Sequence, residues 1–205
     1  MAGTAAAHPH VFVDTGIEVI FDAARQGIAL RVTWAYDDLF SLMMLQDRGM
    51  DPDFDGLLTP SETAALQGFD MAWEAGFAGD TYALLGAAPL DLSGPSDWTT
   101  RLIEGRLTST HLRRFDRPVV VSDLPLVVQV YDPGFYTAYT LAGETRLTGG
   151  TGCSAQAFAA DRAAADAILR AAMDEQAGSD GVESDFPAIG AAYAEEVRVT
   201  CAAPG

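Results

Sequence analysis

The sequence predicts an α+β fold, namely an antiparallel β-rich body with an inserted EF-hand-like helix-loop-helix and a C-terminal helix and strand. Short runs rich in β-branched and aromatic residues recur along the chain, two helical patterns bracket the acidic segment 51–62, and an alanine-rich run precedes a final alternating run. Because strands and helices do not alternate as βαβ units would require, the strands are expected to pair antiparallel.

The first elements are predicted to be a β-hairpin and a helix. Apolar residues alternate or cluster over 8–21 and again over 28–33, on either side of a polar turn. Asp37 or Asp38 can then cap a helix whose apolar positions follow helical spacing, and Gly49 ends it.

A second helix is expected to begin at Pro60 and to stop near Gly76. Five short strands follow, at 82–85, 98–103, 106–111, 124–131 and 136–141. The second and third of these are joined by a tight turn at Glu104-Gly105, which is typical of a hairpin.

The carboxyl-terminal part is predicted to contain a helix at about 159–176, a mobile polar stretch at 177–185 and a strand at 195–201. Any boundary within the chain is placed near Asp80. The organisation is therefore 1–7 as a signal-peptide remnant, 8–80 as hairpin plus calcium loop, and 81–205 as an antiparallel region that forms one structural unit with the first part.

Charge and hydropathy exclude two classes of partner. The chain carries 12 Lys and Arg against 29 Asp and Glu, a formal charge of −17, which repels nucleic acids and anionic lipid surfaces. No apolar run approaches the roughly 18 to 20 residues that a membrane helix needs, so no membrane insertion is expected.

The chain start and the two cysteines favour an exported protein. Small residues in 1–7 are typical of the end of an export signal, although a short tail of a cytoplasmic protein is the alternative. In an exported chain, Cys153 and Cys201 are expected to pair, which restricts the unfolded chain by roughly 4 kcal/mol; the alternative is two buried free thiols.

Segment 51–62 matches the twelve-position calcium loop at each defining position. Carboxylates stand where the loop converges on the ion, Gly56 allows the sharp turn, and a glutamate on the next helix can close the shell. The predicted Ca²⁺ ligands are Asp51, Asp53, Asp55, Leu57, Thr59 and Glu62. The alternative is an acidic turn without an ion. Because no second loop pairs with it, the site is expected to be structural rather than a switch.

The chain has three histidines, and they are candidate ligands of a transition metal. In a strand, His8 and His10 point to the same face, and His111, expected on a strand edge, is a candidate third ligand. The alternative is that these side chains are solvated or hydrogen-bonded. No hydrolase, zincin or phosphate-loop motif occurs, so the protein is not expected to be an enzyme, and a metal-dependent hydrolase or oxidase at the same histidines stays a minor hypothesis.

Three motifs together resemble a known family: HPHVFVD at 8–14, WAYDDLFS at 34–41 and YDPGFY at 131–136. The family is an uncharacterised bacterial one, a domain of unknown function described as a periplasmic component of an ABC-type transport system. The similarity covers the chain up to about Cys153. The residues at the motif positions are His8, His10, Asp14, Asp38, Ser41, Asp132 and Tyr136.

This resemblance implies an exported, periplasmic protein encoded near transporters of nickel, cobalt or zinc. It predicts a metal-binding accessory protein that takes Zn²⁺, Ni²⁺, Co²⁺ or Cu²⁺ at His8, His10, His111 and the oxygen ligand Asp132, with Ca²⁺ as a structural ion. A membrane metal transporter or a substrate-binding protein is the expected partner. The alternative is a calcium-stabilised protein-interaction module without a transition-metal site.

Overall fold

The computed structural model describes residues 9–177 and 188–202, and these residues form eleven strands, three α-helices and one 3₁₀ helix. The strands are β1 (Val11–Phe21), β2 (Gln26–Tyr36), β3 (Thr81–Leu85), β4 (Ala88–Leu90), β5 (Ser96–Ile103), β6 (Arg106–Val120), β7 (Leu126–Val130), β8 (Thr137–Leu141), β9 (Arg146–Thr148), β10 (Cys153–Phe158) and β11 (Glu196–Cys201). The helices are α1 (Asp38–Asp47), α2 (Pro60–Leu66), α3 (Arg162–Ala177) and the 3₁₀ helix Gly190–Tyr193.

The strands form two sheets in which antiparallel pairs dominate, as the sequence predicts. The first sheet has the order β5-β6-β2-β1-β8, with β9 also paired to β1, and the second has the order β10-β11-β7-β3-β4. The pairs of β1 with β8 and with β9 are parallel. Strands from before and after Asp80 therefore share the first sheet.

The predicted amino-terminal hairpin is confirmed. Val13 of β1 lies opposite Tyr36 of β2, and the register continues to Phe21 opposite Gly27. Burial alternates along β1, since every second side chain from Val11 to Phe21 is buried. The apolar face thus points into the molecule, as a period of two residues requires.

One hydrophobic core lies between the two sheets. It combines buried valines of the first sheet, such as Val19 and Val32, with buried valines of the second, such as Val128 and Val197. Complete burial of each such side chain stabilises the fold by about 1.5 to 3 kcal/mol relative to exposure. The two sheets therefore pack against each other through their apolar inner faces.

The predicted second helix is too long. Helix α2 ends at Leu66, because the backbone leaves helical geometry at Gln67, with ψ of 121°, and Gly68 then takes a left-handed conformation with φ of +71°. The chain from 67 to 80 instead packs on the inner face of the first sheet, where the Trp73 ring stacks on that of Trp34. This segment delivers two carboxylates, Asp70 and Asp80, into the interior.

Three further predictions differ from the structure. Strand β6 continues to Val120 rather than ending at His111, and the short strands β4, β9 and β10 were not anticipated. The expectation that His111 lies on a strand edge is wrong, because β6 is flanked by β5 and β2. A long strand with mixed polar and apolar residues gives no clear end in the sequence.

The predicted disulfide is confirmed. Cys153 of β10 lies directly opposite Cys201 of β11, and their sulfurs are bonded across a sequence separation of 48 residues. Within the described ranges, no helix is long and apolar enough to cross a membrane. The predicted signal remnant 1–7, His8 and the polar stretch from 178 onward lie outside the described residues.

Candidate metal sites

The acidic segment 51–62 lies between α1 and α2, and its carboxylates converge. One oxygen from each of Asp51, Asp53 and Asp55 lies within 4.8 Å of the other two. Asp51 is buried, whereas the other two side chains are exposed. Three carboxylate oxygens at this spacing are a donor set for a hard cation such as Ca²⁺.

Backbone N–H groups of the segment hold these carboxylates in place. Asp51 accepts from the amide of Asp55 through Oδ1 at 3.1 Å and from the amide of Gly56 through Oδ2 at 3.2 Å. Asp55 Oδ1 accepts from the amide of Leu57 at 2.8 Å. Gly56 has φ of +75°, a conformation that favours glycine, so the turn at this position depends on the residue that the motif requires.

Glu62 ties the two ends of the acidic segment together. Its Oε2 accepts from the hydroxyl of Thr59 at 2.7 Å and from the Thr59 amide at 2.8 Å, while Oε1 accepts from the amide of Asp51 at 3.1 Å. The hydrogen bonds from Thr59, and then the one from Asp51, lower the pKa of Glu62 below its usual value. Glu62 is therefore charged and fixed beside the first aspartate of the segment.

The amino-terminal histidine segment lies against the YDPGFY motif. The amide of His10 donates to the carbonyl of Tyr136 at 2.8 Å, and the two rings lie 4.8 Å apart. Asp132 accepts from the amides of Gly134, Tyr136 and Thr137 at 2.8 to 3.0 Å. His10 and Asp132 are thus both hydrogen-bonded to the backbone of Tyr136, just before β8 begins.

The second motif joins the first at this end of the sheet. The amide of Phe12 donates to Asp37 Oδ2 at 2.8 Å, and the amide of Asp37 donates to the carbonyl of Phe12 at 2.9 Å. Ser41 accepts from the amide of Leu107 at 2.9 Å in the core. The three motifs, which are far apart in the sequence, therefore meet in the fold.

Asp14 and Asp38, two further motif positions, have different surroundings. Asp14 forms an ion pair of 2.7 Å with Arg106, whose guanidinium also donates to the carbonyls of Ala35 and Tyr36. Asp38 is exposed in the first turn of α1, where a negative charge is favourable. Both residues therefore have a structural use.

His111 lies apart from His10. It is completely buried opposite Val32, which itself lies opposite Ile17 of β1. Because a strand rises about 3.3 Å per residue, His10 is on the order of 23 Å along β1 from Ile17. The structure therefore does not bring His111 to the other two predicted histidine-site residues that it describes, His10 and Asp132.

The His111 ring is enclosed by aromatic side chains. Its centroid lies 4.7 Å from that of Trp34 and 5.3 Å from that of Trp73. Burial, with a contribution from Arg113, lowers the pKa of His111 to about 3, so the imidazole is neutral. Neither ring nitrogen has a hydrogen-bond partner within the described part of the chain.

Asp70 is a buried carboxylate that sequence reasoning missed. Its Oδ2 accepts from the hydroxyl of Tyr36 at 2.9 Å and from that of Ser109 at 2.5 Å, whereas Oδ1 is buried and has no partner among the described residues. Burial raises the pKa of Asp70 even though both hydrogen bonds oppose it.

Asp80 is the second such carboxylate. Its Oδ2 accepts from the hydroxyl of Tyr139 at 2.8 Å, and its backbone has φ of +47°, which is unusual for a residue other than glycine. Burial, helped by the nearby charge of Asp132, raises the pKa of Asp80 to about 7. The sequence around Asp70 and Asp80 has no motif, and only the aromatic residues between them hint at an interior position.

Comparison with known protein families gives a match over nearly the whole chain. Residues 1–201 match the family described as Protein of unknown function (DUF1007). This confirms the resemblance to an uncharacterised family, and the match extends past the limit near Cys153 that the motifs indicate. No curated protein matches the chain.

Proposed function

The chain belongs to this family of proteins of unknown function, and on that premise we propose that it is an exported metal-binding accessory protein of an ABC-type transport system. In this proposal Ca²⁺ braces an EF-hand-like helix-loop-helix formed by α1, the acidic segment and α2. A transition metal binds at the amino-terminal histidines. The protein acts in the periplasm, beside a membrane metal transporter or a substrate-binding protein.

The convergence of Asp51, Asp53 and Asp55 is the observation that carries the proposal. Glu62 follows at the twelfth position, and its carboxylate would exchange its hydrogen bonds from Asp51 and Thr59 for a bound cation. Leu57 and Thr59 stand at the positions that supply a carbonyl and a hydroxyl. Oxygen ligands of this kind select Ca²⁺ over softer metals.

The disulfide supports the export part of the proposal. Disulfides persist in oxidising compartments such as the bacterial periplasm and are rare in the cytosol. The Cys153–Cys201 bond joins two neighbouring strands of the second sheet, so a structural role accounts for it. An exported protein meets extracellular calcium concentrations, at which a single calcium loop is occupied with a Kd of about 0.1 to 1 mM.

The meeting of the three motifs supports the transition-metal part. His10 and Asp132 both hydrogen-bond to the backbone of Tyr136, and His8 is two positions from His10 in the sequence. Imidazole and carboxylate ligands suit zinc, nickel, cobalt and copper. Since His111 is buried on another strand, the proposed ligands are His8, His10 and Asp132 alone.

Calcium titration of the full chain by calorimetry tests the first site. We expect one Ca²⁺ per chain with a Kd of about 0.1 to 1 mM. Glu62→Gln removes a charge from the ligand set and should weaken binding at least tenfold. Glu74→Gln is the matched control, because Glu74 is exposed on the segment after α2 and makes the same change of charge. Unchanged affinity in Glu62→Gln would refute the calcium site.

Titration with zinc, nickel and copper tests the second site. The double variant His8→Ala, His10→Ala should lose binding of the metal that the wild type takes, while His111→Phe should retain it. Elemental analysis of the purified protein, after export and processing, gives the metal bound in the cell. Equal affinity in the wild type and the double variant would refute this site and leave the calcium site untouched.

A second candidate is a calcium-stabilised interaction module. It is favoured by large apolar side chains that are exposed around the acidic segment, namely Leu39, Met43, Phe54 and Leu57. Exposed apolar surface of this kind is typical of a protein-binding face. A photo-crosslinking residue at position 57 tests it in the native host, since this candidate requires a crosslinked partner in calcium and none in chelator.

A further inference from the structure

A cleft lies beside the segment that follows α2, and it shares one residue, Asp132, with the proposed transition-metal site. It encloses about 390 Å³, and its walls include Phe77, Asp80, Tyr82 and Asp132. No histidine or cysteine is among its lining residues, and the volume far exceeds that of a metal ion. A cleft of this size with few polar groups is typical of a small organic ligand.

Asp80 is one of the two carboxylates that line the cleft. The residue is only 6% exposed, and one carboxylate oxygen, Oδ2, accepts from Tyr139. The other oxygen, Oδ1, has no hydrogen bond or ion pair with any described residue. Oδ1 is not among the buried atoms that lack a partner, so it is accessible from the cleft, where a donor or a positive charge of a ligand can take the place of water.

Two aromatic side chains form the apolar part of the wall. Phe77 is 45% exposed and is held by an edge contact with Trp73, at 5.4 Å between ring centroids. Tyr82 stacks on Tyr131, with centroids 4.1 Å apart. Faces of aromatic rings attract cations, most strongly when water is excluded.

The electrostatic field in the cleft is negative. Burial, followed by the charges of Tyr131, Asp80 and Asp132, raises the pKa of Tyr82 to about 12. Among the described residues, the charge of Asp132 has the same sign as that of Asp80 and adds to the rise in the pKa of Asp80. Arg113 donates to the carbonyl of Ala78, a residue of the cleft wall, and its guanidinium packs over the Trp73 ring.

We propose that this cleft binds an organic ammonium ion, with its nitrogen paired to Asp80 and its alkyl groups against Phe77 and Tyr82. Asp80, which pairs with the nitrogen in this proposal, is not a ligand of either proposed metal site. Aromatic walls and a carboxylate are the arrangement by which proteins take quaternary and primary ammonium groups. A metal ion would find two carboxylates and no further side-chain ligand here.

Calorimetric titration of the full chain with choline tests the proposal, and 3,3-dimethylbutan-1-ol is the matched ligand because it has the same shape without the charge. We expect saturable binding of choline, at least about tenfold tighter than the alcohol. Equal binding of both ligands would show an apolar groove only, and no binding of choline would leave no ammonium site. Either result overturns the proposal.

Two variants locate the binding. Asp80→Asn keeps the shape of the side chain and should weaken choline binding at least about tenfold, while Asp116→Asn, an exposed aspartate, should leave it unchanged. Phe77→Leu should weaken it about threefold to tenfold and is safe for folding because Phe77 is partly exposed. Circular dichroism checks that each variant is folded. Zinc or nickel binding that requires Asp80, without choline binding, would also overturn the proposal.

Discussion

The acidic segment 51–62 and the interior carboxylates Asp70 and Asp80 hold negative charge in different surroundings. In the segment, three aspartates lie within five positions and two of them are exposed. In the interior, each carboxylate comes from the chain after α2 and is held by hydroxyl groups from the first sheet.

The difference lies in what each carboxylate loses on folding. Water and backbone amides solvate the carboxylates of the segment and weaken the repulsion between them. A bound cation would remove the repulsion that is left. Asp70 and Asp80 lose most of their water, and burial raises the pKa of both. Exposed carboxylates can therefore bind an ion at little desolvation cost. The buried ones instead accept hydrogen bonds from neutral hydroxyl groups of the first sheet.

The largest expected effect is that of Asp70→Ala. It leaves the hydroxyls of Tyr36 and Ser109 buried without their acceptor, which costs about 1 to 3 kcal/mol each and is partly offset by loss of the buried charge. We expect the free energy of unfolding to fall by about 2 to 4 kcal/mol in urea titration. Asp53→Ala, measured without calcium, should change it by less than about 0.5 kcal/mol. Equal losses would remove the contrast between the two regions.

The pH dependence of stability separates the regions next. Because the pKa of Asp70 is raised in the folded protein, its contribution is fully present below the usual aspartate pKa and is lost as the pH rises through the folded value. The wild type should therefore lose stability relative to Asp70→Asn as the pH rises above about 4. Urea titrations of both proteins across this range measure the difference. A constant difference at all pH values would mean that Asp70 is not perturbed by burial.

Calcium should stabilise the acidic segment by a smaller amount. At one to ten times its Kd, a ligand that binds only the folded state adds about 0.4 to 1.4 kcal/mol to the free energy of unfolding. We expect the melting temperature to fall when a chelator is added to the wild type and to stay constant for Glu62→Gln. A wild-type melting temperature that does not change with calcium would contradict both the stabilising role of Ca²⁺ and the proposed ligands.

The smallest effect is expected for His111→Phe. The imidazole is neutral, packs between two tryptophans and lacks hydrogen-bond partners within the described residues, so a phenyl ring of similar shape loses nothing polar. Stability should change by less than about 1 kcal/mol and can increase. A loss of several kcal/mol, measured in urea, would indicate that the ring nitrogens are satisfied by a buried group.

Much of the fold is readable from local pattern. The hairpin of β1 and β2 follows from alternation, and Asp37 caps α1 through the amide of Phe40 as its position predicts. The parallel contacts of β8 and β9 with β1 are not readable, because they join segments more than a hundred residues apart. Their sequences specify strands but carry no signal for the partner.

The candidate sites also differ in whether their residues are close together in the sequence. The acidic segment is local, since its ligands occur within twelve positions and one turn of chain brings them together. The cluster around the buried carboxylate of Asp70 is not local. It combines Tyr36 of β2, Asp70 of the segment after α2 and Ser109 of β6. Only the packing of that segment on the first sheet makes them neighbours, and no spacing in the sequence encodes it.

The disulfide has a further consequence for how the chain responds to a protease. It closes a covalent ring from Cys153 to Cys201 that contains all of α3. A single tryptic cut after Arg162 or Arg170 opens this ring but releases no fragment, because both new ends remain attached through the sulfurs. The nicked protein should run as one band on a non-reducing gel and as two bands after reduction.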